Sequence, residues 1–285
     1  VEGKGRKVRA ATGLIRTPMT FSTRSSLAAL LLLPIVSLPA AAADLKPAEP
    51  RREHDIVLEV GGGVQLRPAY EGASDYEASP WPIVKLHYLW LPGFGVVKNE
   101  RERSEGFTIG PSFRYVSKRD SADYAALTGL NDVDAAFEVG GRVAYTFGFL
   151  RVHANLRQGF GGHDGLVGEA GLDLVAFPDS RTEIGVGPRI SYADADYMRT
   201  YLGVTPAESV TSGLAAYDPG GGIKGAGAEL IARYAFTPAW ALSGSFAWER
   251  FVGDAADSPI VQTGDIDQFT ARLGVSYRFG LKLFN

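Results

Sequence analysis

The chain contains no cysteine. That excludes a disulfide framework, a thiolate metal site and a thiol nucleophile. A basic surplus is also missing: 29 Lys and Arg stand against 32 Asp and Glu, for a net charge of -3. Nucleic-acid binders carry the opposite balance, so no nucleic-acid partner is expected. There are only four histidines, with no HExxH pair, and no acidic run has calcium spacing. Metal catalysis is therefore not expected, and no cofactor is implied. Beyond the N-terminus no apolar run reaches the ~18 residues that a membrane helix needs.

Glycine is abundant, with 35 residues, and aromatics make up 11% of the chain. Many short alternating runs accompany them, which is an all-β composition. The clearest run is Ala271–Phe279, where Ala271, Leu273, Val275, Tyr277 and Phe279 alternate with Arg272, Gly274, Ser276 and Arg278. A side-chain period of two makes a strand with one apolar face and one polar face. Ten more segments repeat the pattern: 56–66, 82–90, 94–98, 107–115, 137–147, 150–160, 166–174, 184–192, 228–236 and 240–248. The connections alternate between tight turns, such as 178–181 and 237–239, and long polar stretches, such as 117–135, 194–224 and 253–264.

Two solvents suit such strands. In a small soluble sandwich or barrel the apolar faces meet each other, whereas in a membrane barrel they meet lipid. Aromatics near the strand ends favour lipid: Trp81, Trp90, Tyr145, Phe147, Phe149, Tyr234, Phe236, Trp240, Tyr277 and Phe279 resemble interfacial belts. So does the export signal. Residues 1–43 read as a leader, with Arg24 before an apolar run at 27–38 and Ala41-Ala42-Ala43 as the cleavage site; Met19 is a second candidate initiator. Residues 44–54 read as a polar periplasmic lead-in and 55–285 as the barrel. The expectation is a transmembrane antiparallel up-and-down β-barrel of about twelve strands, with short periplasmic turns and long extracellular loops. It would lie in the outer membrane of a Gram-negative cell, in contact with outer-membrane lipid, after cleavage of the signal peptide.

The polar faces then line the lumen. They place Glu59, Lys85, Arg114, Glu138, Arg142, Arg151, His153, Arg157, Glu169, Asp173, Glu183, Arg189, Glu229 and Arg233 inside as a charge network. Paired, these groups plug the barrel; partly unpaired, they line a narrow pore whose arginine excess favours anions. His153 and Asn155 share one strand face, where they are candidates to orient a serine nucleophile in a barrel hydrolase. The plainer reading is a lumenal hydrogen-bonding pair, and no catalytic residue is assigned. His163-Asp164 reads as turn chemistry, and the run Gly220–Gly227 as a flexible approach to a strand rather than a phosphate cradle.

Ordered short motifs add a family resemblance. Pro68-x-Tyr70-x-Gly72 is followed by Pro80-Trp81-Pro82, Leu127-Thr128-Gly129-Leu130 with Asp132, Glu138-x-Gly140 and Gly162-His163-Asp164-Gly165. The most specific stretch is 197–222, with Tyr197, Tyr201, Gly203, Val204, Ser212, Gly213, Leu214 and Tyr217; Asp257-Ser258-Pro259-Ile260-Val261 follows. Together they resemble the MipA/OmpV family of outer-membrane proteins across 56–279. The resemblance implies a non-enzymatic scaffold that brings a periplasmic lytic transglycosylase together with a murein synthase. The alternatives are a narrow porin-like channel or a surface adhesin, with an outer-membrane hydrolase behind them. Arg272-x-Gly274-x-x-Tyr277-x-Phe279 resembles the terminal-strand signal read by the barrel-assembly machinery, although this chain continues from Gly280 to Asn285.

Overall fold

The computed structural model describes residues 53–99 and 105–284. The expected leader, its cleavage site and the lead-in up to residue 52 lie outside the described residues. Among the described residues eleven antiparallel strands follow one another: β1 (Ile56–Pro68), β2 (Tyr76–Leu91), β3 (Gly95–Asn99), β4 (Gly106–Val116), β5 (Ala136–Phe147), β6 (Leu150–Gly161), β7 (Leu166–Ala176), β8 (Thr182–Ala193), β9 (Gly222–Ala235), β10 (Trp240–Phe251) and β11 (Asp267–Leu281). Their order is β3-β2-β1-β11-β10-β9-β8-β7-β6-β5-β4, so first and last long strands meet and the sheet curls into a nearly closed barrel.

The strand count corrects the expectation of about twelve. Ten strands run the length of the wall, and β3 is a five-residue piece paired only with Tyr88–Leu91 of β2. The alternating segments of the sequence are these eleven strands. The even number expected of a bacterial barrel arises by discounting the short one, not by adding a twelfth.

Register follows the alternation. β1 pairs with β11 as Glu59↔Arg278, Val60↔Tyr277 and Val64↔Leu273. Polar residues therefore sit beside polar residues across each ladder, and apolar beside apolar. The outward face is apolar: Val84 and Phe113 are each 70% exposed and Leu273 is 61% exposed. Charged groups are instead hidden, with Glu59 at 0% and Glu138 and Asp173 at 1%. This is the inverse of a water-soluble barrel and matches what hydrocarbon demands.

Aromatics form two outward rings. Phe107, Phe147, Phe149, Trp240 and Tyr277 ring the turn end; Phe113, Tyr115, Phe137, Phe160 and Phe269 ring the loop end. Trp81 departs from the expected belt. It pairs with Gly63 in the same phase as Lys85↔Glu59, which turns it to the interior. Gly280 and Leu281 lengthen β11, and the tail beyond them packs Phe284 against Trp90 with the rings tilted and their centroids 5.9 Å apart.

The apolar core sits at the loop mouth, between the ends of the strands and the loops above them. Four short helices, α1 (Ala195–Leu202), α2 (Pro206–Ser212), α3 (Gly253–Ala256) and α4 (Pro259–Gln262), fold over the loop end. One cluster joins Tyr197, Met198, Tyr201 and Leu202 to Val133, Val167, Phe251, Ala255 and Val261. A second joins Leu127, Leu130, Val204 and Ile260. The long loops thus make a packed cap rather than separate excursions.

Candidate functional site

Side chains from non-adjacent strands meet inside the barrel. At the turn end, Glu59 on β1 accepts from Ser276 Oγ at 2.7 Å and from Arg233 on β9 at 3.0 Å. His87 Nε2 lies 2.9 Å from it, Arg278 3.4 Å and Lys85 3.8 Å. The Arg233 contact spans the interior, because β11 and β10 stand between β1 and β9. Nearby, Arg151 pairs with Glu183 at 2.8 Å.

At mid-height Arg189 joins Asp173 at 2.6 Å to Glu229 at 3.1 Å, and Arg272 approaches Glu229 at 3.6 Å. His153 Nδ1 faces Asp173 at 3.5 Å. Asn155 accepts from Arg142 at 3.4 Å and donates to Glu169 at 3.5 Å. Among the described residues His153 and Asn155 thus contact the charged groups of this layer.

Toward the loop end Glu138 accepts from Arg114 at 2.6 Å and from Arg157 at 2.9 Å. Arg157 also reaches Glu169 at 2.7 Å, and Arg114 spans three strands to the same carboxylate at 3.3 Å. His163, read from sequence as turn chemistry alone, turns its ring inward beside Glu138, with Nε2 3.4 Å from Oε1. Glycine at 159 makes the space: a Cβ there would lie 2.1 Å from His163 Cε1. Gly165 donates its N–H to His163 Nδ1 at 3.2 Å, which leaves the ring proton on Nε2, toward the carboxylate.

The cap rests on this layer. His163 packs between Tyr197 and Tyr201, at centroid distances of 4.9 and 5.5 Å. Tyr197 Oη donates to Glu71 at 2.6 Å, and Lys224 Nζ donates to the same Oε1 at 2.6 Å. Burial raises the Glu71 carboxyl, but Lys224 and the Tyr197 hydroxyl outweigh it and hold the group below its ordinary value. Burial, reinforced by Glu71, pushes the Tyr197 phenol well above its ordinary value. Arg119 donates to the Tyr201 carbonyl at 2.7 Å and to Thr200 at 3.4 Å, tying the loop after β4 to α1.

The loop motif residues hold the cap together. Asp194 caps α1 by accepting from Tyr197 N–H at 3.0 Å, and Gly203 closes that helix on Arg199. Thr205 and Glu208 form a reciprocal capping box on α2. Ser212 Oγ bonds the Glu208 carbonyl at 2.6 Å, and Gly213 ends the helix at a φ of 76°. Tyr217 Oη donates to the Asp254 carbonyl at 2.8 Å. Asp257 closes α3, Ser258 Oγ donates to the Leu202 carbonyl at 2.7 Å, and Pro259 starts α4. Tyr197 and Tyr201 are 2% and 4% exposed, so these rings are not an adhesive surface.

On β11, Arg272 and Gly274 face inward, while Tyr277 and Phe279 face outward at the turn end. Sequence reasoning missed Glu71, His87, Arg119 and Lys224. Glu71 occupies the open position of Pro68-x-Tyr70-x-Gly72, and Lys224 sits within a run read as flexible. Their signal was a charge where neighbouring positions needed none.

The sequence pattern of the family described as MltA-interacting protein MipA matches residues 60–279. The MltA-interacting protein of Escherichia coli (strain K12) is 25% identical over 234 residues, covering 78% of this chain and 89% of that protein. Its counterpart from Shigella flexneri has the same identity and coverage. The solved outer membrane protein OprG from Pseudomonas aeruginosa overlaps 80% of this chain and 97% of its own, at 12% identity and a TM-score of 0.31, too loose a likeness to decide anything further. The match across nearly the whole barrel decides the ancestry: this chain belongs to the MltA-interacting protein MipA family.

Proposed function

We propose that this protein is a closed outer-membrane barrel that serves as a non-enzymatic scaffold for murein enzymes. The turn end faces the periplasm and the loop end faces outward. The observation that carries the reading is the charge-paired interior: ion pairs link non-adjacent strands at three heights, and the cap packs over one mouth. A barrel closed in this way offers its periplasmic rim rather than a conduit. The relatives' name, MltA-interacting protein, supports a murein-related enzyme, here a lytic transglycosylase, as the first partner; a murein synthase as the second is what the family resemblance implies.

At that rim Phe94 is 84% exposed and Leu283 is 57% exposed, a pair of apolar contacts beside short turns. The test is affinity capture from chemically crosslinked envelopes. Recovery of a transglycosylase and a synthase, reduced by Phe94→Ala with Leu283→Ala, is the expected result. Capture of neither enzyme would sink the scaffold reading. Planar-bilayer recordings supply the check on closure: the purified protein should show no ion steps. A heat-modifiability gel on outer-membrane fractions tests placement, and absence from that fraction would count against it.

A further inference from the structure

On the outward face of the wall two rows of side chains run across β5 to β9. In one, the register partners are Val143↔Ala154, Ala154↔Ala170 and Ala170↔Ile190. In the next they are Gly141↔Leu156, Leu156↔Gly168, Gly168↔Tyr192 and Tyr192↔Ile223. The glycines and alanines let the surface sink between the larger side chains and leave a groove of about 580 Å³. Its lining is apolar: Asn155 and Glu169, in the opposite phase, turn to the lumen and bond each other there. The groove begins at Gly141, midway along β5, and climbs to the loop end at Ile223, beside the start of β9.

Ile223 also borders a second cavity, of about 180 Å³, at the foot of the cap. Met198 of α1, the run Gly220–Gly222 and the start of α3 at Gly253 and Asp254 enclose it. It is open where Gly222 and Gly253 lie, since a Cβ at either would meet nothing within 4 Å. Asp254 is the one charged residue of its lining. The Asp254 Oδ2 accepts from the Gly220 N–H at 2.7 Å, and no cation pairs with this carboxylate among the described residues. Arg199, on the same helix as Met198, is held by Asp218 at 2.7 Å and Asp196 at 3.6 Å. An apolar groove in the wall thus ends beside an uncompensated carboxylate, at the level where lipid headgroups stand.

We propose that groove and crevice together bind one outer-membrane lipid, with its acyl chain laid over Gly141 and Gly168 and a primary-amine headgroup donating to Asp254. A hydrocarbon chain fits the groove because the lining is apolar and the wall around it faces hydrocarbon. An ammonium head fits the crevice because it brings both the missing positive charge and N–H donors, whereas a purely anionic head would be repelled. The proposal rests on the membrane placement given above but not on the scaffold reading.

The test uses the full chain reconstituted in vesicles of equal parts phosphatidylethanolamine, phosphatidylcholine and phosphatidylglycerol with matched acyl chains. Native mass spectrometry after release in mild detergent then identifies the retained lipid. The expected result is one bound lipid, with the ethanolamine form enriched about two- to fivefold, the worth of one exposed ion pair. The choline form is the control, because it keeps the positive charge but has no N–H to donate. Asp254→Asn should abolish the preference and still retain a lipid. Gly141→Leu, at a position whose added Cβ has no neighbour closer than 4.0 Å, should abolish retention. Equal retention of all three lipids, choline retained as well as ethanolamine, enrichment of phosphatidylglycerol, or a dimer that retains no lipid overturns the proposal. So does an unchanged preference in Asp254→Asn. If the chain does not insert into the vesicles, the membrane placement falls and takes the proposal with it. The preference of the parent protein decides even if Gly141→Leu does not fold.

Discussion

Lys224 Nζ lies 2.6 Å from Glu71 Oε1, which joins the start of β9 to the loop between β1 and β2, 153 residues away in sequence. Tyr197 binds the same oxygen, so one carboxylate couples the first loop, the helical cap and the barrel wall. The cap is therefore fastened to the barrel by a shared buried acceptor as well as by apolar packing.

Glu71→Ala should loosen the cap. It leaves the Lys224 ammonium, 7% exposed, without this partner, and breaking a buried pair costs about 3–5 kcal/mol. The expected outcome is faster cleavage of the 194–221 loop by protease added to intact cells, with the barrel still heat-modifiable. Protection equal to that of the parent would remove Glu71 from its fastening role.

The same fastening should depend on pH at both extremes. The folded Glu71 carboxyl is depressed, so its contribution is present above the unfolded carboxylate value of about 4.3 and is lost as the pH falls through the lower folded value. The folded Tyr197 phenol is raised, so its contribution is complete below about pH 10 and is lost as the pH climbs through the higher folded value. Protease protection of the cap should therefore be flat from pH 5 to about 9. A midpoint near pH 6 or 7 would point to a different group.

Glu138→Ala removes the carboxylate shared by Arg114 and Arg157 in a site that is 1% exposed. Arg157, 4% exposed, loses one acceptor and keeps Glu169, so the loss should fall below the about 3–5 kcal/mol of a buried charge left with no partner. A lower temperature for conversion of the compact gel band is the expected reading.

Leu156→Arg tests the solvent of the outer face. Leu156 is 53% exposed in the middle of β6, and an arginine at the bilayer midplane costs about 2–4 kcal/mol. Less folded protein should reach vesicles, while Leu156→Phe should fold as the parent does. Were Leu156→Arg neutral, water rather than lipid would cover this face.

Phe279→Ser addresses the proposed assembly signal. Phe279 faces outward on β11, with its ring 6.2 Å from that of Tyr277. A signal read by the assembly machinery predicts a fall in outer-membrane abundance in cells with little change in folding from urea into vesicles. Equal losses in both would make the residue structural only.

Much of the architecture was legible because strand patterning is local. From Ile56 to Leu66, and again from Ala271 to Phe279, each side chain declares its face two residues at a time. The inward charges were legible for the same reason. Trp81 was misplaced among the interfacial aromatics because nearness to a strand end was weighed above its phase with Lys85. The core of the cap was not legible, since Val133, Tyr197, Leu202 and Val261 come together only when the 117–135, 194–221 and 252–266 loops meet.

The alternation of residues by itself determined the strands, their register-defining faces and the inverted distribution of polarity, because a period of two needs no distant partner to be read. Tertiary structure alone decided the number of wall strands among the described residues and the choice of partners inside. Glu59 reaches Arg233 and Glu71 reaches Lys224 only because the sheet curls, and curling depends on how all the strands twist and close together rather than on any one of them.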